Sequence, residues 1–219
     1  MKFVLPNLSD TGSLIISFMT LRRSIGYLAF FLAPVLIVGS FILDDTNQIQ
    51  VSMSAYYYSH MRNVLVGVVC GISLFLFCYH GYKWYDSLSS KLAALFALGI
   101  AFFPTSATND KTDIISKLHY ITSGIFFVIL AFMSIFLFTK SSGDMTSQKK
   151  KRNRVYKICG IIMLISVAGI PIAGFDSIWD KIKHLKPTFF LETIALVAFG
   201  ISWMTKGEAI FWDKKEIAN

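Results

Sequence analysis

The sequence predicts an all-α, polytopic integral membrane protein: a bundle of six transmembrane helices with a short N-terminal interfacial helix. Three observations carry this. Only 16% of the 219 residues are charged, against roughly 25% in a soluble domain, and mean hydropathy is +0.58. Apolar runs close to the ~20 residues that cross a bilayer recur along the whole chain. The basic residues also segregate. With the N-terminus placed in the cytoplasm, six of the 21 Lys and Arg (Arg62, Lys111, Lys117, Lys181, Lys183, Lys186) fall outside and the rest inside, which keeps both termini in the cytoplasm.

Residues 1–23 form a cytoplasmic segment, with Ser9 and Asp10 as N-caps and Leu14, Ile15, Phe18 and Met19 on one helical side before Arg22-Arg23. It is either an interfacial helix or the lower end of the first span. Arg22-Arg23 follow the first apolar run rather than precede it, so no cleavable leader is expected. The transmembrane domain occupies 24–204. Its first span, Ser24–Leu43, contains Pro34, a kink position, and ends at Asp44-Asp45. The second, Asn63–Tyr79, carries Gly67-Val-Val-Cys-Gly71, a GxxxG spacing that allows close helix approach and offers a homo-oligomer contact. In the inner loop that follows, Trp84 and Tyr85 suit the membrane interface, while Asp86 and His80 read as solvated loop residues.

The third span, Leu92–Pro104, is short, alanine-rich and extendable back to Ser87. His119–Phe138 is the fourth. The inner loop after it holds Lys149-Lys-Lys-Arg-Asn-Arg154, which is an orientation anchor touching anionic membrane lipid or the surface for a cytosolic partner. Tyr156–Phe175, with Pro171, and Pro187–Met204, with proline in its first turn, complete the set; 205–219 is a cytoplasmic tail. The net charge of +8 is a topology signal concentrated in one loop, so no direct nucleic-acid partner is expected. Cys70, Cys78 and Cys159 lie within spans and behave as small hydrophobes.

One stretch concentrates polar and aromatic chemistry: Ser52-Met-Ser-Ala-Tyr-Tyr-Tyr-Ser-His-Met-Arg-Asn63. The topology places Tyr57, Tyr58, His60, Arg62 and Asn63 at the outer end, with His119 and Glu192. These seven are the candidate ligand-binding residues. A carboxylate inside a span is expensive and needs a partner or a wet cavity. Arg62, at similar depth, is the natural ion-pair partner of Glu192. Three consecutive tyrosines cannot all face the interface, so one turns inward. His60, His119 and Glu192 also have the donor types of a three-ligand zinc site, although HExxH and paired-histidine spacings are absent; no other cofactor is indicated. No nucleophile elbow or phosphate-cradling glycine loop is present, and no catalytic residue is assigned.

The run at 54–67, Phe-Pro-Thr at 103–105 and the Glu192 helix together resemble a family of uncharacterised bacterial multi-span proteins of the DUF998-like kind. That resemblance implies a helical bundle and no activity. A second, fainter similarity is to the seven-span ceramidase and adiponectin-receptor superfamily, whose zinc sites use three histidines. Six spans and the lack of paired C-terminal histidines depart from it. Three function classes follow: binding or sensing of a small molecule, lipid or proton at an outward polar pocket, with signalling through the basic inner loop; an oligomeric channel or transporter; and a metal-dependent lipid hydrolase.

Overall fold

In the computed structural model, residues 8–44, 48–106, 113–141 and 143–212 are described. The chain forms seven α-helices among these residues: α1 (Leu8–Leu43), α2 (Arg62–Cys78), α3 (Trp84–Phe102), α4 (Ile114–Phe132), α5 (Ser147–Ala173), α6 (Asp176–Ile182) and α7 (Pro187–Lys206). No strand occurs among them. Four helical stretches are long and apolar enough to cross a membrane: Phe18–Leu43, Ile114–Leu137, Ser147–Ala173 and Pro187–Lys206. Arg62–Cys78 is a shorter apolar helix, and α3 begins with the polar turn that holds Asp86.

The helix starts follow from local chemistry. Asp113 caps α4 by accepting from the Ile115 and Ser116 backbone N–H groups, and Thr146 caps α5 by accepting from Lys149 N–H. Such caps satisfy donors that have no partner inside the helix. Before α3, the Asp86 carboxylate accepts from Lys83 N–H at 3.0 Å. Asp86 is buried and not the solvated loop residue that its position suggests, because the start of α3 folds under its neighbours. It also lengthens α3 well before Leu92. Residues 8–23 and 24–43 form one uninterrupted helix; Arg22-Arg23 leave no break. Pro34 and Pro171 lie inside continuous helices.

The six long helices close into a ring in the order α1, α2, α3, α4, α5, α7, with α7 between α1 and α5. Leu36, Leu76, Ala97, Phe126, Phe199 and Trp203 fill the middle. Four buried alanines, Ala93, Ala94, Ala97 and Ala101, allow α3 to sit close to its neighbours. The tightest backbone approach is Gly26 against Gly200. A Cβ at Gly26 would stand 2.8 Å from Gly200 O, and one at Gly200 would stand 2.8 Å from Gly26 O. The GxxxG pair does not play this part within the chain. Gly67 is exposed with nothing near its missing Cβ, so any close approach it allows is to another molecule.

At its C-terminal end α4 widens into a π-turn at Met133–Leu137. This aims Ser134 at the Ser202 hydroxyl (2.7 Å) and at Tyr156 O (2.8 Å), tying α4, α5 and α7 together through buried polar groups. Successive long helices alternate in direction and so gather two sets of ends. One set surrounds the 3₁₀ turn Ser54–Tyr58; the other surrounds Arg22 and Lys206. We refer to them as the turn end and the basic end.

Candidate functional site

At the turn end, the carboxylate of Glu192 accepts a hydrogen bond from Met53 N–H at 2.6 Å, and Ser54 N–H adds a second backbone interaction. Glu192 thus caps the 3₁₀ turn from a helix 139 residues away. Two free N–H groups at the start of a helical turn are a natural seat for an anion. Arg62 is elsewhere. It is exposed, its guanidinium lies 4.1 Å over the Tyr57 ring, and it donates to the Tyr57 hydroxyl at 2.5 Å. The expected Glu192–Arg62 ion pair is therefore replaced by two separate pairings. Backbone donors stand closer to the carboxylate, and Arg62 points to the surface.

His119 is buried on α4. Its Nδ1 lies 2.6 Å from Phe103 O and its Nε2 lies 2.8 Å from Ser54 Oγ. A carbonyl only accepts, so Nδ1 carries the proton and, in the neutral ring, Nε2 accepts from the Ser54 hydroxyl. Both nitrogens are engaged. His60 instead contacts Asp44: its Nδ1 stands 2.5 Å from Oδ1, and its backbone N–H donates to the same oxygen. That pairing holds the Asp44 carboxyl below its ordinary range. His60, His119 and Glu192 thus serve three different partners and do not converge. Among the described residues no three His, Cys, Asp or Glu side chains are placed to hold a metal ion.

The tyrosines divide as their number requires. Tyr56 turns inward, fully buried against Phe189, and burial pushes its phenol above the ordinary value. Tyr57 takes Arg62. The Tyr58 hydroxyl donates to Thr105 O, fastening the turn to the segment after α3. Asn63 is exposed at the start of α2. The cleft beside the turn, between Ser54, Tyr57, Val69, Ile100 and His119, has a volume of about 20 Å³, room for about one water. His184 lies in a separate 3₁₀ turn before α7, because that helix starts at Pro187.

The basic end holds the residues that sequence reasoning took for topology markers. Arg22 is 5% exposed, Arg152 6% and Lys206 7%. They come from α1, α5 and α7, and Arg22 and Lys206 rest on aromatic rings. Arg22 lies 4.2 Å from the Phe18 ring and 5.5 Å from Tyr79, and Lys206 lies 5.3 Å from Tyr82 and 5.1 Å from Phe138. The run 149–154 splits across its helix. Lys149 donates to Phe138 O, Arg152 to Phe211 O and Asn153 to Thr139 O. Lys150 and Arg154 face outward, where with Lys157, Met145, Ile158 and Ile161 they line an open groove of about 370 Å³. A signal for Arg22 was available: Phe18 precedes it by four residues and so shares its helix face. Nothing in the sequence marks Lys206 as buried.

No protein-family model, no curated protein and no solved structure matches this chain. The resemblances above rest on the quoted residues alone.

Proposed function

We propose that the chain is a six-span protein of the cytoplasmic membrane, with both termini in the cytoplasm, and that its outward turn end binds and senses protons. One observation carries the reading. Two titratable side chains from separate helices, Glu192 on α7 and His119 on α4, grip adjacent residues of a single turn, Met53 and Ser54. The Glu192 grip depends on its protonation state. A carboxylate accepts backbone N–H groups that a neutral acid accepts more weakly; the His119 grip survives protonation with its direction reversed, a neutral Nε2 accepting from the Ser54 hydroxyl and an imidazolium donating to it. Protonation of Glu192 therefore loosens the turn that Tyr58 links to the α3–α4 connection. A cleft with room for about one water favours the proton over an organic ligand. Among the described residues, the other charged groups around the turn include Asp44 with His60, Arg62 on Tyr57, Asp113, and Lys186, which donates to Ile49 O. The groove of Lys150, Arg154 and Lys157 above Ile158 and Ile161 supports contact with anionic lipid headgroups at the cytoplasmic side.

Amide hydrogen exchange across residues 53–60, measured in detergent between about pH 8 and pH 5, tests this. With exchange corrected for the intrinsic amide rate at each pH, protection of the turn falls in acid in the wild type. In Glu192→Gln protection is already low at the higher pH and changes little. Equal protection of the wild-type turn at both pH values sinks the reading.

A further inference from the structure

A buried cation demands compensation, and at the basic end two do not receive it from a carboxylate among the described residues. Lys206 has three ammonium donors, and among the described residues no hydrogen-bond acceptor or carboxylate partners it; its neighbours are the Tyr82 and Phe138 rings. Arg22 Nε is buried without a hydrogen-bond partner. Its Nη1 reaches the Met19 sulfur at 3.6 Å, a weak acceptor, and the Tyr79 hydroxyl is a hydrogen-bond partner that brings no negative charge. Arginine keeps its charge at any pH near neutrality, so proton loss cannot relieve it.

The magnitudes do not balance. A desolvated cation–π contact returns less than removing an ion from water costs, even after relaxation. The surroundings add to the debt. Lys206 also feels Arg22, Lys149 and Arg152, with Asp86 the opposing carboxylate in its field. Asp86 is itself committed to Lys83 N–H and stands 3.9 Å from Lys140. Glu208 stands 3.8 Å from Arg152. Among the described residues, cations outnumber anions in this cluster.

We propose that Arg22 and Lys206 form a binding site for a phosphoryl group, from an anionic lipid headgroup or a soluble phosphate. The guanidinium offers a planar pair of donors suited to phosphate oxygens, and the ammonium offers a point charge beside it. Inorganic phosphate, part monoanion and part dianion near neutrality, can answer more than one cation, whereas a phosphodiester headgroup brings one charge on two oxygens that can bridge the guanidinium and the ammonium. Access lies through Tyr82. Its ring covers Lys206 yet is 78% exposed, on the irregular segment between α2 and α3. Rotating that one side chain outward opens the ammonium. The close Gly26–Gly200 seam holds Arg22 and Lys206 side by side, since each lies within two turns of it.

Calorimetric titration of the full-length, detergent-purified protein with inorganic phosphate tests the site, alongside reconstitution into phosphatidylglycerol or phosphatidylcholine nanodiscs followed by thermal melting. Saturable phosphate binding, weakened about tenfold or more by Lys206→Met and by Arg22→Gln, supports a site for soluble phosphate. Stabilisation by phosphatidylglycerol over phosphatidylcholine, lost in the same variants, supports a lipid headgroup. Tyr82→Ala retains or strengthens binding in either case. Lys206→Met removes charge while keeping an apolar stem on the aromatic rings, so it remains informative if Arg22→Gln does not fold. The proposal is overturned if neither anion binds, if binding is unchanged in Lys206→Met, or if chloride at equal ionic strength reproduces the effect.

Discussion

The two ends of this bundle handle buried charge in opposite ways. At the turn end, Glu192 and His119 each find partners inside the chain: two backbone amides for one, a carbonyl and a hydroxyl for the other. At the basic end, Arg22 and Lys206 are buried as deeply but rest on aromatic rings. The carboxylate and the imidazole of the first end have hydrogen-bond partners, whereas among the described residues the second end holds more cations than anions. A polar residue inside a membrane protein is thus informative for how its hydrogen bonds are settled, more than for its presence in a span.

The largest expected effect comes from the seam that joins the ends. Gly200→Val places a side chain against the Gly26 and Phe30 backbone, costs about 3 kcal/mol as overpacking, and pushes Arg22 away from Lys206. Thermal melting in detergent reads the loss. Phosphate affinity falls with it, while the His119 and Glu192 contacts to the turn stay intact. If instead turn protection is lost at equal phosphate affinity, the seam serves the wrong end.

His119→Leu should cost about 1–3 kcal/mol, the penalty for leaving the Phe103 carbonyl and the Ser54 hydroxyl without their partner. Chemical denaturation measures it, and faster amide exchange near Ser54 locates it. A variant as stable as the wild type would mean that water replaces the imidazole at no cost, and the turn end would not be internally complete.

Much of the bundle is legible in the sequence, since apolar length alone marks α1, α4, α5 and α7. The short helix α6 is not. Asp176–Ile182 is one amphipathic turn pair inside a connection, too short for periodicity to speak. Nor is the π-turn, which depends on packing against Tyr156 and Ser202. At the site, charge and depth identify Glu192 and His119 as constrained residues but not their partners. Backbone amides carry no signature in a sequence, so Arg62 looks like the better partner for Glu192. Arg22 and Lys206 fail for the reverse reason. Their position at the ends of apolar runs is what a topology marker shows, and burial there arises when α1, α5 and α7 close around them.

The smallest effect belongs to the Asp44–His60 pair on the rim of the turn end. The hydrogen bonds from His60 depress the Asp44 pKa, so the pair stabilises above the ordinary carboxylate range and that contribution is lost as pH falls through the lowered value. His60→Ala should raise the Asp44 titration back to its ordinary range, read by carboxyl NMR shifts, with little change in melting temperature. An unshifted Asp44 would show that the contact does not form in solution.

The most direct measurement compares two substitutions that introduce the same side chain at the two ends, Glu192→Met and Lys206→Met, by thermal melting in one detergent without added phosphate. Glu192→Met strips two backbone amides of their acceptor and lowers stability by about 2–3 kcal/mol. Lys206→Met removes an uncompensated charge and leaves stability unchanged or higher. Equal destabilisation by both would contradict the contrast between the ends and, with it, the reading of the basic end as a site awaiting an anion.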